Sequence, residues 1–216
     1  MDSSWNAFAE FGFMQRALLG CLLLSASAPL VGVFLLLRRM SLTGDAMAHA
    51  ILPGAALGYL VSGLSLGAMT VGGLLAGLAV VLASGLVARS TVLREDASLA
   101  SFYLLSLAAG VLIISSRNVD LLRVLFGSVL ALDDPTLVLL GAVAAITAVG
   151  LLLLLRPLVL ECVDPAYLRS VSRLSPVAHY GFLMLLVLNL VAGFHALGTL
   201  LSVGMMILPA AAARLW

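Results

Sequence analysis

Lysine is missing from this chain: all 11 basic residues are arginine. A phosphate-binding loop of the form Gly-x-x-x-x-Gly-Lys-Ser/Thr cannot exist without one. If ATP drives this protein, another polypeptide hydrolyses it. Charge of either sign is also scarce. Only 10% of the 216 residues are charged, where a soluble domain carries about 25%. The net charge of +1 says nothing about nucleic acid, and with no basic patch none is expected as a partner. The two cysteines, Cys21 in an apolar run and Cys162 in a polar one, do not make a disulfide framework.

What the chain has is apolar length. Hydrophobic residues make up 63% of it, in continuous rather than alternating runs. The expected fold is all-α: a polytopic membrane helix bundle and a single transmembrane domain over 1–216. Seven spans are predicted, near 12–37, 43–62, 66–88, 97–115, 135–155, 179–193 and 196–213. Residues 118–132 are read as a short interfacial or re-entrant helix. The last two spans are read as a hairpin turning at Gly193-Phe194-His195. Asp2 and Glu10 stand where a signal peptide carries positive charge, so the first apolar run is read as a retained span.

Arginine sets the orientation. With the N-terminus outside, eight arginines lie in or beside cytoplasmic segments and three (Arg16, Arg117, Arg123) lie outside. The expected topology is therefore N-terminus out. Small residues are dense in the third span, including Gly72, Gly73 and Gly77, and such residues let helix backbones approach closely in lipid.

Within this apolar sequence, Gly44-Asp45-Ala46-Met47-Ala48-His49 is the exception. A four-residue spacing on a helix turns about 400°, so Asp45 and His49 share one face. Ionisable residues inside a span are costly and default to function. A carboxylate and an imidazole together suit a divalent transition metal, and the competing reading is a helix tie. Pro53 removes the amide that would bond the His49 carbonyl, which predicts a kink there. His195, near the outer hairpin, is a third candidate ligand. Glu95 and Asp96 read as a charged helix start. In the segment from 161 to 176, Asp164 is a good N-cap and Pro165 a good first residue for a short helix. Tyr167, Leu168, Val171 and Leu174 fall on one side of it, and Ser175-Pro176 is expected to stop it.

The run Leu37-Arg38-Arg39-Met40-Ser41-Leu42-Thr43-Gly44-Asp45-Ala46-Met47-Ala48-His49-Ala50 resembles the signature of membrane subunits of bacterial zinc/manganese ABC importers. Arg94-Glu95-Asp96-Ala97, Leu125-Phe126-Gly127 and Ala196-Leu197-Gly198-Thr199-Leu200-Leu201 fit the same family in order. The resemblance implies a multi-pass subunit of the bacterial cytoplasmic (inner) membrane that is not itself an enzyme. It implies a homodimer in lipid, fed by an extracytoplasmic metal-binding protein and driven by a cytoplasmic ATPase. Zn²⁺ or Mn²⁺ would be cargo, with no permanently bound cofactor. Asp45 and His49 match the family's metal-path residues. Residues 164–174 match its coupling helix, so Asp164, Pro165, Tyr167, Leu168, Arg169, Val171 and Leu174 are expected to meet the ATPase. His195 stands where relatives often carry glutamine. Relatives also continue beyond the position of Trp216, so the chain is expected to be a truncated form. The alternatives are a permease for a siderophore or cobalamin, or an ATP-independent carrier or channel. An intramembrane aspartyl hydrolase needs a second aspartate in a span, and none is present.

Overall fold

The computed structural model describes residues 11–63, 65–91, 95–115, 132–164, 167–168 and 174–216. Those residues form six helices and no strand: α1 Gly12–Leu37, α2 Ser41–Ser62, α3 Leu66–Ser90, α4 Glu95–Ser115, α5 Asp134–Val163 and α6 Leu174–Leu215. Four of the six (α1, α3, α5 and α6) are long and apolar enough to cross a bilayer, and α4 contains a shorter apolar helix, Ala97–Ile113. The helix α2 carries Asp45 and His49 and is less apolar. Its neighbours α3, α4 and α6 pack around it. The central element is α6, against which α1, α2, α3 and α5 all pack.

The break in α6 falls at Gly198, not at residues 193–195 as the sequence suggests. Gly198 has φ 78° and ψ 175°, a backbone that only glycine adopts without strain. The chain reverses there. A Cβ built on Gly193 would lie 2.1 Å from Ser202 Oγ, whereas nine residues of straight helix would separate the two by about 13 Å. Gly193, Phe194 and His195 are therefore helical residues of the first limb, and the hairpin itself stands.

The stretch 156–178, which lies between two predicted spans, is helix at both ends. The helix α5 runs on through Arg156 and Pro157 to Val163, and α6 begins already at Leu174. Ser175-Pro176 thus opens a helix rather than ending one, because a proline in a first turn costs no hydrogen bond. Asp164 does cap: its Oδ1 accepts from the Tyr167 amide at 2.9 Å. Pro165, Arg169 and Val171 lie outside the described residues, as does the interfacial helix expected over 118–132, apart from Leu132.

Lipid tails are as apolar as leucine, so close packing and polar ties rather than the hydrophobic effect hold such helices together. The tightest seam is α2 on α3. A Cβ on Gly54 would stand 2.1 Å from the Gly72 carbonyl oxygen, and one on Gly58 2.3 Å from that of Ala68. Polar ties recur between helices. Ser106 donates to the Ala50 carbonyl at 3.0 Å, Ser98 to that of Ser84 at 3.0 Å, and Asn189 Nδ2 to Thr147 Oγ1 at 2.7 Å. Three helix ends meet at Arg38, whose side chain and that of Glu161 are buried.

At the opposite end, Asp133 caps α5. Its carboxylate accepts from the amide of Thr136 at 3.2 Å and from the Thr136 hydroxyl. The hydroxyl bond is the main reason its carboxyl sits below the usual aspartate range. A depressed carboxyl stabilises the fold above its unfolded value, about 3.9, and the stabilisation is lost as pH falls through the folded value. Asp133→Ala should cost about 0.5–1 kcal/mol near neutral pH. Melting temperatures of the solubilised protein should differ there and converge at acid pH; an equal gap at both would contradict the cap.

Candidate functional site

The site begins at the turn between α1 and α2. Arg39 N–H donates to Leu36 O at 3.1 Å and Met40 N–H to Leu35 O at 2.9 Å. This crossed pair is the Schellman ending of a helix. The position it demands in the left-handed region is held by Arg39 at φ 58°, where glycine is usual. A non-glycine residue there costs about 1–2 kcal/mol, so the turn is held against strain. Two residues later α2 starts.

On α2, Asp45 and His49 do share a face. His49 Nε2 is 3.7 Å from Asp45 Oδ1. That gap is too long for a hydrogen bond, which argues against a simple tie. Two donors each about 2.1 Å from one ion at a tetrahedral angle lie about 3.4 Å apart, so the pair needs little movement to close on a metal. The ties between helices are made elsewhere, by Ser106, Ser98 and Asn189. Counting along the axis from Ser41, Asp45 lies about 6 Å and His49 about 12 Å into the helix. The pair therefore occupies the half of α2 nearer Arg38.

Most of α2 is enclosed: Ala46, Met47, Ala48 and Ala50 are buried. The Asp45 side chain, by contrast, is 57% exposed and that of His49 22%. Asp45 opens into a cleft of about 350 Å³ lined also by Arg39, Thr43, Leu99 and Tyr103. Tyr103 on α4 stacks on the imidazole, with ring centroids 6.4 Å apart and planes at 29°. His49 Nδ1 is buried without a hydrogen-bond partner among the described residues. Beside it, α2 continues through Pro53, and the neighbouring Ala50 carbonyl takes its extra donor from Ser106. No group of three or more His, Cys, Asp or Glu side chains occurs among the described residues. One chain brings together two side chains able to ligate a metal, fewer than the four that a closed tetrahedral site uses.

His195 is placed apart from this pair. Its Nδ1 donates to Val191 O at 2.8 Å, and its Nε2 is 3.5 Å from Thr70 Oγ1 on α3. The sequence does not mark Tyr103, and it marks Arg39 only as part of the signature run and of the arginine count, not as a neighbour of Asp45. Neither carries a local signal of that place: an aromatic in an apolar helix and a second arginine at a helix end are both ordinary until the fold brings them to Asp45.

The fold and the site define a class: a polytopic helical membrane protein with an open carboxylate–imidazole pair beside a cleft. The chain belongs to the ABC 3 transport family, whose model matches residues 10–216. It is 34% identical over 213 residues to the manganese import system permease protein ScaB of Streptococcus parasanguinis, covering 98% of this chain and 75% of that one. It is 33% identical over 203 residues to a probable iron transport system membrane protein of Haemophilus influenzae, covering 93% and 73%. A solved structure, PsaBC from Streptococcus pneumoniae in complex with Fab, superposes with a TM-score of 0.85 at 29% identity, over 100% of this chain and 78% of that chain. The resemblance to permeases of metal ABC transporters therefore holds, and the chain is a multi-pass integral protein of the bacterial inner membrane.

Proposed function

We propose that this chain is the membrane subunit of an ATP-driven importer of a divalent first-row metal, and that Asp45 and His49 form its path. The observation that carries this is the pair itself, 3.7 Å apart on one helix face, with Asp45 open to a cleft. A carboxylate with an imidazole and no thiolate is a set that manganese, ferrous iron and zinc can all use. Manganese is the first candidate, because the relatives named for their cargo include manganese import permeases. Iron is the second reading, favoured by relatives named for iron transport.

Two ligands per chain point to a second copy, which would bring two carboxylates and two imidazoles together. Asp45, Arg39 and Leu42 would face that shared space rather than lipid, where an exposed carboxylate is costly. A metal-binding protein would deliver cargo from outside, where His195 would be a further ligand at the mouth of the path. The ATPase would dock at residues 164–174, where Tyr167 is exposed and Leu168 buried against the bundle.

Uptake of radioactive manganese by cells lacking their own importers and expressing the full operon tests this. Unlabelled manganese should compete best, with ferrous iron or zinc weaker. No manganese uptake above that of cells without the operon, or transport of a siderophore or cobalamin in its place, would overturn the reading.

A further inference from the structure

Arg38 holds a buried polar cluster that no part of the metal path uses. Its Nη2 is ion-paired with Glu161 Oε1 at 3.1 Å and donates to His179 Nδ1 at 2.6 Å, and its guanidinium lies 5.3 Å over the Phe182 ring. Arginine has no acceptor, so His179 Nδ1 takes the proton of that bond and carries none itself. The Arg38 and Glu161 side chains are 8% and 6% exposed, and Arg38 Nη1 and Glu161 Oε2 have no partner among the described residues. Such a cluster is a poor stability device. Apolar residues of similar volume often hold a fold as well as a buried ion pair or better.

Its placement is more informative. Glu161 lies in the last turn of α5, and His179 lies in the second turn of α6. They flank residues 164–173, the loop between those helices. Arg38 closes α1, and the Schellman turn that follows it feeds directly into α2. Arg39 and Met40 of that turn are walls of the Asp45 cleft. The same three-residue turn is thus gripped on one side by both ends of the loop and borders the metal pair on the other.

We infer that Arg38 is a positioning residue that ties both ends of the α5–α6 loop to the turn that sets α2. Displacement of the loop then shifts Asp45 and the cleft wall. The metal and ATPase roles of those two ends rest on the reading given under Proposed function; the mechanical link does not.

The decisive variant is R38M/E161M, which removes both charges together and leaves no buried ion unpaired. In vesicles that hold the permease with its ATPase, the inference expects normal insertion, ATP hydrolysis close to wild type, and manganese uptake lower by about tenfold, a typical coupling magnitude. Wild-type uptake in this variant would overturn it, as would a parallel fall of hydrolysis and uptake. A second measurement needs neither metal nor ATPase and applies even where the double variant fails to insert. Amide hydrogen exchange in the solubilised E161Q protein should rise in peptides covering 160–180 and also in those covering 38–49. A rise confined to 160–180 would overturn the link. Absence of manganese uptake by the wild type would instead count against the proposed function and leave the exchange test standing.

Discussion

Replacing Asp45 or His49 with alanine should lower metal uptake by roughly 10–100-fold, the scale on which changes at a metal site act, with protein amount unchanged. The reasoning is geometric. Both side chains leave the α2 backbone on one face, and the Asp45 side chain is more than half exposed, so truncating Asp45 opens no cavity in the core. For Asp45 the loss should therefore fall on transport and not on folding. Asp45→Asn is the sharper form. It keeps size and polarity but removes the anion, and should lose nearly as much as alanine. Uptake by Asp45→Asn equal to wild type, at normal protein level, would leave the carboxylate without a role in the path.

Gly54→Ala should nearly abolish accumulation of folded protein, although it adds one methyl group. That methyl would sit 2.1 Å from the Gly72 carbonyl oxygen and 2.5 Å from Ala76 Cβ. The first neighbour is backbone and cannot rotate away, so α2 and α3 must separate by more than 1 Å. Overpacking against movable side chains already costs about 1–3 kcal/mol, and two rigid helix backbones have less room to relax. Gly141→Ala is the control, since its Cβ would meet nothing closer than Leu23 at 4.0 Å. There the higher helix propensity of alanine should keep or raise stability, by up to about 1 kcal/mol. Melting temperature and the monodisperse fraction after solubilisation measure both. Equal behaviour of the two variants would mean that the α2–α3 seam is looser than described.

The seam also shows how far the sequence could be read. The first four helices follow from apolar runs closed by arginine, serine and glycine, and their observed ends lie within a few residues of the predicted ones. The Asp45–His49 face follows from helical periodicity alone. The errors cluster where a local signal has a distant answer. Gly193-Phe194-His195 looks like a turn, yet Gly193 is small because Ser202 packs on it, and Gly198 takes the left-handed backbone instead. The polar residues of 156–163 look like loop, yet Glu161 finds Arg38 and the helix continues. Nothing near Tyr103 in sequence reveals that its ring stacks on His49. Positions whose partners lie on another helix are the ones that a linear reading misses.

The central claim is that a transported metal ion touches His49. Pulsed electron paramagnetic resonance of Mn²⁺ bound to the purified permease tests it most directly, because an imidazole nitrogen on the ion modulates the echo decay. The account predicts nitrogen modulation in the wild type and its loss in His49→Ala. Modulation of the same depth in His49→Ala would contradict it.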